Sequence, residues 1–184
     1  MLTRRQLPVA AAPHAPSPFD QIIGESRAIR ALREAAHEIL DRVAGNPTPP
    51  PVVITGETGT GKDLLARVMH AASPRAEGPF FDVCVVAIPE VLLEVELFGC
   101  VRGAFDGVGR ARQGLFHAAS GGTLLLSSSG DMLRAVRQVI TATMERGAVR
   151  RIGSTRPEPV DVWVMATDHA PWTAWQAGRS TKHS

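Results

Sequence analysis

A glycine-rich run lies between a stretch typical of a buried β-strand and a stretch typical of a helix. Residues 52–55 are all β-branched, and apolar residues recur at helical spacing from Leu64 to Met69. The run between them has the spacing Gly-x-x-x-x-Gly-Lys. Its eight residues are Gly56, Glu57, Thr58, Gly59, Thr60, Gly61, Lys62 and Asp63. A strand, a glycine turn and a helix in this order predict a phosphate-binding loop.

The chemistry of such a loop follows from its backbone. Glycines allow successive N–H groups to point at a polyphosphate, and the helix N-terminus adds favourable potential for anions. Lys62 is expected to reach the terminal phosphates. The general motif continues with Ser or Thr, whose hydroxyl ligates Mg²⁺, whereas Asp63 follows the lysine here. The alternative is a glycine-rich turn that holds no ligand.

Length and composition limit the kinds of protein that this chain can be. Its 184 residues, 44% of them hydrophobic, suit one globular domain, and a net charge of +2 does not by itself indicate nucleic acid. The two cysteines, Cys84 and Cys100, form neither a metal pattern nor a disulfide framework. No apolar stretch approaches the roughly 20 residues of a membrane span, and no secretory signal is recognisable, which favours the cytoplasm.

Strand and helix patterns alternate along the chain. Residues 1–18 are rich in Pro and Ala and are predicted to form a disordered arm. Helices are predicted around 29–40, 64–69, 89–98 and 132–146, strands at 52–55, 80–86, 121–126 and 160–166, and an exposed glycine-punctuated loop at 99–109. This alternation predicts an α/β fold in which a parallel sheet carries helices on both faces.

Several motifs in the same order carry a family resemblance. The run 56–63 is similar to Gly-Glu-Ser-Gly-Thr-Gly-Lys-Glu, residues 96–99 read Glu-Leu-Phe-Gly, and residues 121–124 read Gly-Gly-Thr-Leu. On these motifs residues 19–179 resemble the AAA+ domain of bacterial enhancer-binding proteins, the activators of sigma-54 RNA polymerase, with 180–184 as a tail. The resemblance implies a P-loop NTPase core that binds ATP and takes part in transcription regulation. In that family an acidic residue usually follows the lysine, as Asp63 does here.

The signature loop of that family reads Gly-Ala-Phe-Thr-Gly-Ala, and the resemblance implies that it contacts sigma-54. The corresponding residues here are Gly103, Ala104, Phe105, Asp106, Gly107 and Val108. Phe105 keeps the apolar tip, whereas Asp106 replaces the threonine and adds a charge at the contact. The alternative for Phe105 is a buried anchor of the loop.

The family's Walker B strand ends in Asp-Glu, where the resemblance implies a Mg²⁺-orienting acid and a water-activating acid. Ser127 and Ser128 stand at these positions. A hydroxyl is a weak Mg²⁺ ligand and cannot act as a general base near neutral pH. The alternative is a slipped register, and the next acidic residue is Asp131. We therefore expect Mg²⁺ binding to be weakened and ATP hydrolysis to be impaired or absent.

Three further positions depart from the family in the same direction. The asparagine that restrains the catalytic glutamate falls at Cys84, and the sensor asparagine falls at Asp168. The first arginine-finger position falls at Thr181 and the second would lie beyond Ser184. An arginine finger contributes ~10³–10⁵ in phosphoryl transfer, so little turnover is expected.

The resemblance also implies partners. The sequence ends before the family's helical lid and its helix-turn-helix, so we expect a missing lid, no direct DNA-binding module, weaker nucleotide binding and no stable ring. Three hypotheses remain open: an ATPase that remodels sigma-54 RNA polymerase, an inactive nucleotide-binding or nucleotide-free regulatory module that docks with an intact AAA+ paralogue, and a gene fragment without a selected activity.

Overall fold

The computed structural model describes residues 17–46, 48–105, 110–127, 143 and 145–168. Within these residues the α-helices are α1 (Arg27–Ala44), α2 (Lys62–Ala71), α3 (Glu90–Phe98) and α4 (Leu115–Ala118), with short 3-10 helices at Pro18–Gln21 and Val85–Ala87. The strands are β1 (Val52–Thr55), β2 (Phe80–Cys84), β3 (Gly99–Cys100), β4 (Arg112–Gln113), β5 (Thr123–Ser127), β6 (Ala148–Arg150), β7 (Pro157–Pro159) and β8 (Trp163–Asp168). None of the helices described is both long and apolar enough to cross a membrane.

The central sheet of the described chain has four parallel strands in the order β1-β8-β5-β2. Thr55 pairs with Asp168, Thr167 pairs with Ser127, and Ser127 pairs with Cys84. The carboxyl ends of all four strands therefore meet at one edge of the sheet. In open α/β sheets this edge is where ligands bind, so the fold itself directs attention to these residues.

Helices cover both faces of the sheet, as the alternating pattern predicts. Along β5, Leu124 and Leu126 pack into one core with α3 and α4, whereas Leu125 packs into the other core with α1 and α2. Each of the three leucines is fully buried. Both faces of β5 and β8 are buried, which explains why these strands read as continuous apolar runs rather than as alternating ones.

Strand ends were the least accurate part of the prediction. The strand predicted at 80–86 ends at Cys84, because its partner β5 ends at Ser127 opposite that residue and Val85 begins a 3-10 turn. Apolar, β-branched residues such as Val85 look the same in both conformations, so composition alone could not locate the end. The strand predicted at 160–166 corresponds to β8, which begins later, at Trp163. Val160 does not belong to the central sheet, because its N–H donates to the Gly147 carbonyl.

The loop predicted at 99–109 was also wrong at its beginning. Gly99 and Cys100 are buried, and β3 pairs with β4 in an antiparallel ladder of two residues. Such short pairing leaves no periodic signal in a sequence. The predicted arm at 1–18 lies outside the described residues except for 17 and 18, and so does most of the helix predicted at 132–146.

Candidate nucleotide-binding site

The predicted phosphate loop follows β1 directly and leads into α2. Gly59 and Gly61 have φ angles of 81° and 86°, in the left-handed region that L side chains rarely adopt. Gly61 is the N-cap of α2 and makes no side-chain capping hydrogen bond. The helix N-terminus therefore faces the loop with its positive end, which suits an anion such as a phosphate group.

Hydrogen bonds within the loop hold it in shape. The Lys62 ammonium donates to the carbonyl oxygens of Gly56 at 2.9 Å and Glu57 at 2.8 Å. The Thr60 hydroxyl donates to the same Glu57 carbonyl at 2.8 Å. The first residue of the loop is tied to the sheet, because the Gly56 N–H donates to the Asp168 carbonyl at 3.2 Å. The lysine is thus folded over the loop, and two of the three ammonium donors are used by these carbonyl oxygens.

An open cavity of about 440 Å³ lies beside the loop at the carboxyl edge of the sheet. Its lining combines the loop and the start of α2 with the ends of three strands. The residues that line it are Thr58, Gly59, Gly61, Lys62, Asp63, Leu64, Cys84, Val86, Ser127 and Thr167. The structure therefore brings Cys84 and Ser127, singled out from the sequence, to the same cavity as the predicted phosphate loop.

Ser127 ends β5 and is half-buried at this edge. Its hydroxyl donates to Asp82 Oδ1 at 3.3 Å, and the other carboxylate oxygen of Asp82 accepts from the Arg67 guanidinium at 2.5 Å. Sequence reasoning missed Asp82. The available signal was strand alternation, which places Asp82 and Cys84 on the same face of β2.

Asp168, the predicted sensor position, is the last residue of β8, which lies between β1 and β5 in the sheet. Asp168 is fully buried, and its carbonyl is the acceptor for the Gly56 N–H described above. It therefore lies behind the loop within the sheet. Ser128, Asp131 and Thr181, which the sequence analysis also discussed, lie outside the described residues.

The predicted sigma-54 contact loop is described only in its first half. Gly103 has a φ of 74°, Ala104 is half-buried, and the Phe105 side chain is 46% exposed. The exposed ring contradicts the alternative that Phe105 is a buried anchor. Asp106, Gly107 and Val108 lie outside the described residues. The β3–β4 pair brings together the residues that precede and follow this loop in the chain.

The oxygen atoms at the site fit a cation that the nucleotide itself helps to hold. Magnesium keeps several of its waters and is usually bound by one or two carboxylates together with phosphate oxygens. Asp63 on the first turn of α2 and the Ser127 hydroxyl both line the cavity. Among the described residues, no group of three or more His, Cys, Asp or Glu could hold a metal ion by itself.

Comparison with known proteins gives a consistent match. The sigma-54 interaction domain matches residues 22–182. The Nif-specific regulatory protein of Rhodobacter capsulatus is 41% identical over 167 residues, which are 89% of this chain and 28% of that protein. The transcriptional regulator NtrC of Klebsiella pneumoniae is 40% identical over 153 residues, 83% of this chain and 31% of that protein. The chain thus spans less than a third of the length of these relatives.

Solved structures agree with the sequence match. NtrX from Brucella abortus in complex with ADP superposes with a TM-score of 0.69 at 30% identity, covering 90% of this chain and 34% of NtrX. The complex of NtrX with ATP gives a TM-score of 0.66 at 30% identity, covering 88% of this chain and 33% of NtrX. The P-loop NTPase domain of a sigma-54 activator from E. coli, at 18% identity and a TM-score of 0.51, supports the fold alone.

The fold and the sequence therefore lead to one conclusion. The parallel sheet, the glycine loop after β1 and the structural neighbours identify a P-loop NTPase fold of the AAA+ type. Because the matched region covers most of the chain, the chain belongs to the sigma-54 interaction domain family, whose members include regulators of transcription such as NtrC.

Proposed function

We propose that this chain is an ATP-binding sigma-54 interaction domain that acts in transcription regulation and in which ATP hydrolysis is impaired or absent. The observation that carries the proposal is the contrast between two neighbouring parts of one cavity. Lys62 and the glycine loop offer the donors that grip a polyphosphate, whereas the strand end beside them carries the neutral hydroxyl of Ser127.

Nucleotide binding follows from the loop. Left-handed glycines and a helix N-terminus are the features by which such loops offer backbone N–H groups to phosphates, and this loop has both. The Lys62 ammonium would exchange its carbonyl partners for the terminal phosphates. The relative NtrX, which is solved in complex with ATP and with ADP, supports the assignment of an adenine nucleotide. Magnesium would neutralise part of the phosphate charge when bound, and Asp63 and Ser127, which line the cavity, would help to hold it.

Impaired hydrolysis follows from what the strand end lacks. Ser128 stands at the position of the water-activating acid, and a serine hydroxyl cannot take a proton from water near neutral pH. The loss of a general base costs ~10²–10⁴-fold in rate. The thiol of Cys84, paired with Ser127 across the sheet, replaces an amide that would orient a catalytic acid. Binding and turnover are thereby separated, and the protein would hold ATP as a static ligand.

The partner that the family implies is sigma-54 RNA polymerase. The exposed Phe105 ring at the start of the contact loop suits an apolar contact with a protein surface. Asp106 introduces a charge next to it, so Asp106→Thr is expected to strengthen association with sigma-54 in a pull-down with a non-hydrolysable ATP analogue. If neither the wild type nor Asp106→Thr associates with sigma-54, this role for the loop is excluded.

Titration calorimetry with ATP and a phosphate-release assay on the purified chain test the proposal together. The wild type is expected to bind ATP and to release almost no phosphate, and Lys62→Ala is expected to weaken binding at least about tenfold. Arg42→Ala, which removes an exposed cation from the last turn of α1, is the matched control and should bind normally. Turnover comparable to that of NtrC assayed beside it, abolished by Lys62→Ala, would contradict impaired hydrolysis. Absence of binding would contradict the nucleotide assignment and favour a regulatory module or an inactive fragment.

A further inference from the structure

Asp82 is the carboxylate that contacts the serine at the end of β5. We propose that Asp82 is a positioning residue for the nucleotide's hydrated magnesium ion, acting through the Ser127 hydroxyl and replacing in part the acid that this strand end lacks. The inference rests on the proposed nucleotide-binding function and adds to it a residue that sequence motifs do not single out.

The register of the sheet brings the two side chains together. β2 and β5 run parallel, with Cys84 opposite Ser127 and Asp82 opposite Leu125. Asp82 thus lies two residues before the strand end, on the face that α2 covers. From there its Oδ1 reaches the Ser127 Oγ at 3.3 Å. Asp82 is itself exposed and does not line the cavity, so its carboxylate contacts the hydroxyl from outside the cavity that Ser127 lines.

This contact fixes how the hydroxyl can behave toward a ligand. The Ser127 hydroxyl has a single proton, and it donates this proton to the Asp82 carboxylate in an exposed contact of 3.3 Å. The lone pairs of Oγ are then left for donors in the cavity. Water molecules around a metal ion are such donors, and a nearby anionic charge strengthens the hydrogen bonds that they make. A bare phosphate oxygen, by contrast, would find no proton on Ser127.

Arg67 contacts the same carboxylate from the other side. Its guanidinium contacts Asp82 Oδ2 at 2.5 Å and lies over the Phe80 ring, 5.4 Å from its centroid. The ion pair offsets part of the charge of Asp82. Support for a cation through Ser127 should therefore be weaker than a direct carboxylate would give. Asp82 does not line the cavity, so it does not take the place of a general base there, and turnover stays impaired.

The test is the gain in ATP affinity that Mg²⁺ produces, measured by titration calorimetry with Mg²⁺ and with EDTA. We expect a gain of roughly tenfold for the wild type, since a charge-assisted hydrogen bond contributes energy of that order. Asp82→Asn should reduce the gain to about twofold or less and leave the EDTA affinity unchanged. Glu77→Gln, which neutralises an exposed carboxylate in the segment before β2, is the matched control and should keep the full gain.

Further variants separate a role through Ser127 from a structural role of the ion pair. Ser127→Ala should lose the gain in ATP affinity, as Asp82→Asn does, whereas Arg67→Gln should keep it. The double variant with Asp82→Ala and Ser127→Asp should restore the gain. A full gain in Asp82→Asn, or an equal loss in Arg67→Gln, would overturn the inference while ATP binding itself remained. No ATP binding by the wild type with or without Mg²⁺ would overturn the proposed function, and this inference with it.

Discussion

Gly99 and Gly114 approach each other so closely that neither position has room for a side chain. A Cβ on Gly114 would lie 2.3 Å from the Gly99 nitrogen, and a Cβ on Gly99 would lie 2.6 Å from the Gly114 nitrogen. The contact lies beside the β3–β4 pair, where the loop that carries Phe105 leaves the body of the domain. The pair of glycines therefore fixes the base of the candidate sigma-54 contact loop.

Gly114→Ala is expected to destabilise the domain and to loosen that loop. Gly114 has an ordinary φ of −87°, so the effect is steric, and a backbone shift of this kind costs about 1–3 kcal/mol. Thermal unfolding and limited proteolysis between residues 101 and 111 measure it. Gly45→Ala is the control, since the nearest atom to its Cβ would be 3.9 Å away. Equal behaviour of the two variants would show that the close approach has no mechanical role.

Leu125→Ala should lower the free energy of unfolding more than Leu32→Ala does. Leu125 is fully buried in the core that β5 shares with α1 and α2, and removing such a side chain costs about 2–5 kcal/mol. Leu32 on α1 is 37% exposed, so Leu32→Ala should cost much less. Urea unfolding of both variants without nucleotide gives the two free energies. Similar values would mean that β5 is not at the centre of the core.

His70 predicts a pH dependence of stability. It is buried on α2, its Nδ1 lies 2.9 Å from the Thr123 hydroxyl, and burial lowers its pKa from the ordinary value of 6.5. Below pH 6.5 the unfolded chain therefore binds a proton that the folded chain does not, and the free energy of unfolding falls as the pH drops. Above that pH the contribution is complete and constant.

The measurement is urea unfolding between pH 5 and pH 8 for the wild type and His70→Asn. The variant should be less stable at pH 8 and should lose less stability on acidification. His37→Asn, which replaces an exposed histidine on α1, should keep the wild-type profile. If His70→Asn and the wild type decline in parallel, the acid sensitivity arises elsewhere.

The sequence was a good guide where the signal is local. The phosphate loop is recognisable because its glycines, its lysine and the flanking strand and helix are adjacent in the chain. The parallel sheet follows from the alternation of strands and helices. The Asp82–Ser127 contact could not be predicted in this way, because it depends on the register between β2 and β5, which are about forty residues apart in the chain. The burial of Gly99 was missed for the same reason, since its contact with Gly114 is not local.

One hydrogen bond has a mechanical meaning for the whole domain. The Gly56 N–H still belongs to the hydrogen bonding between β1 and β8, so the phosphate loop leaves the sheet only at Glu57. The start of the loop is thus bonded to the end of β8, and β8 in turn is paired with β5. A ligand in the cavity would therefore be coupled to the two central strands through the loop, and to the edge strand β2 through Cys84, which lines the same cavity.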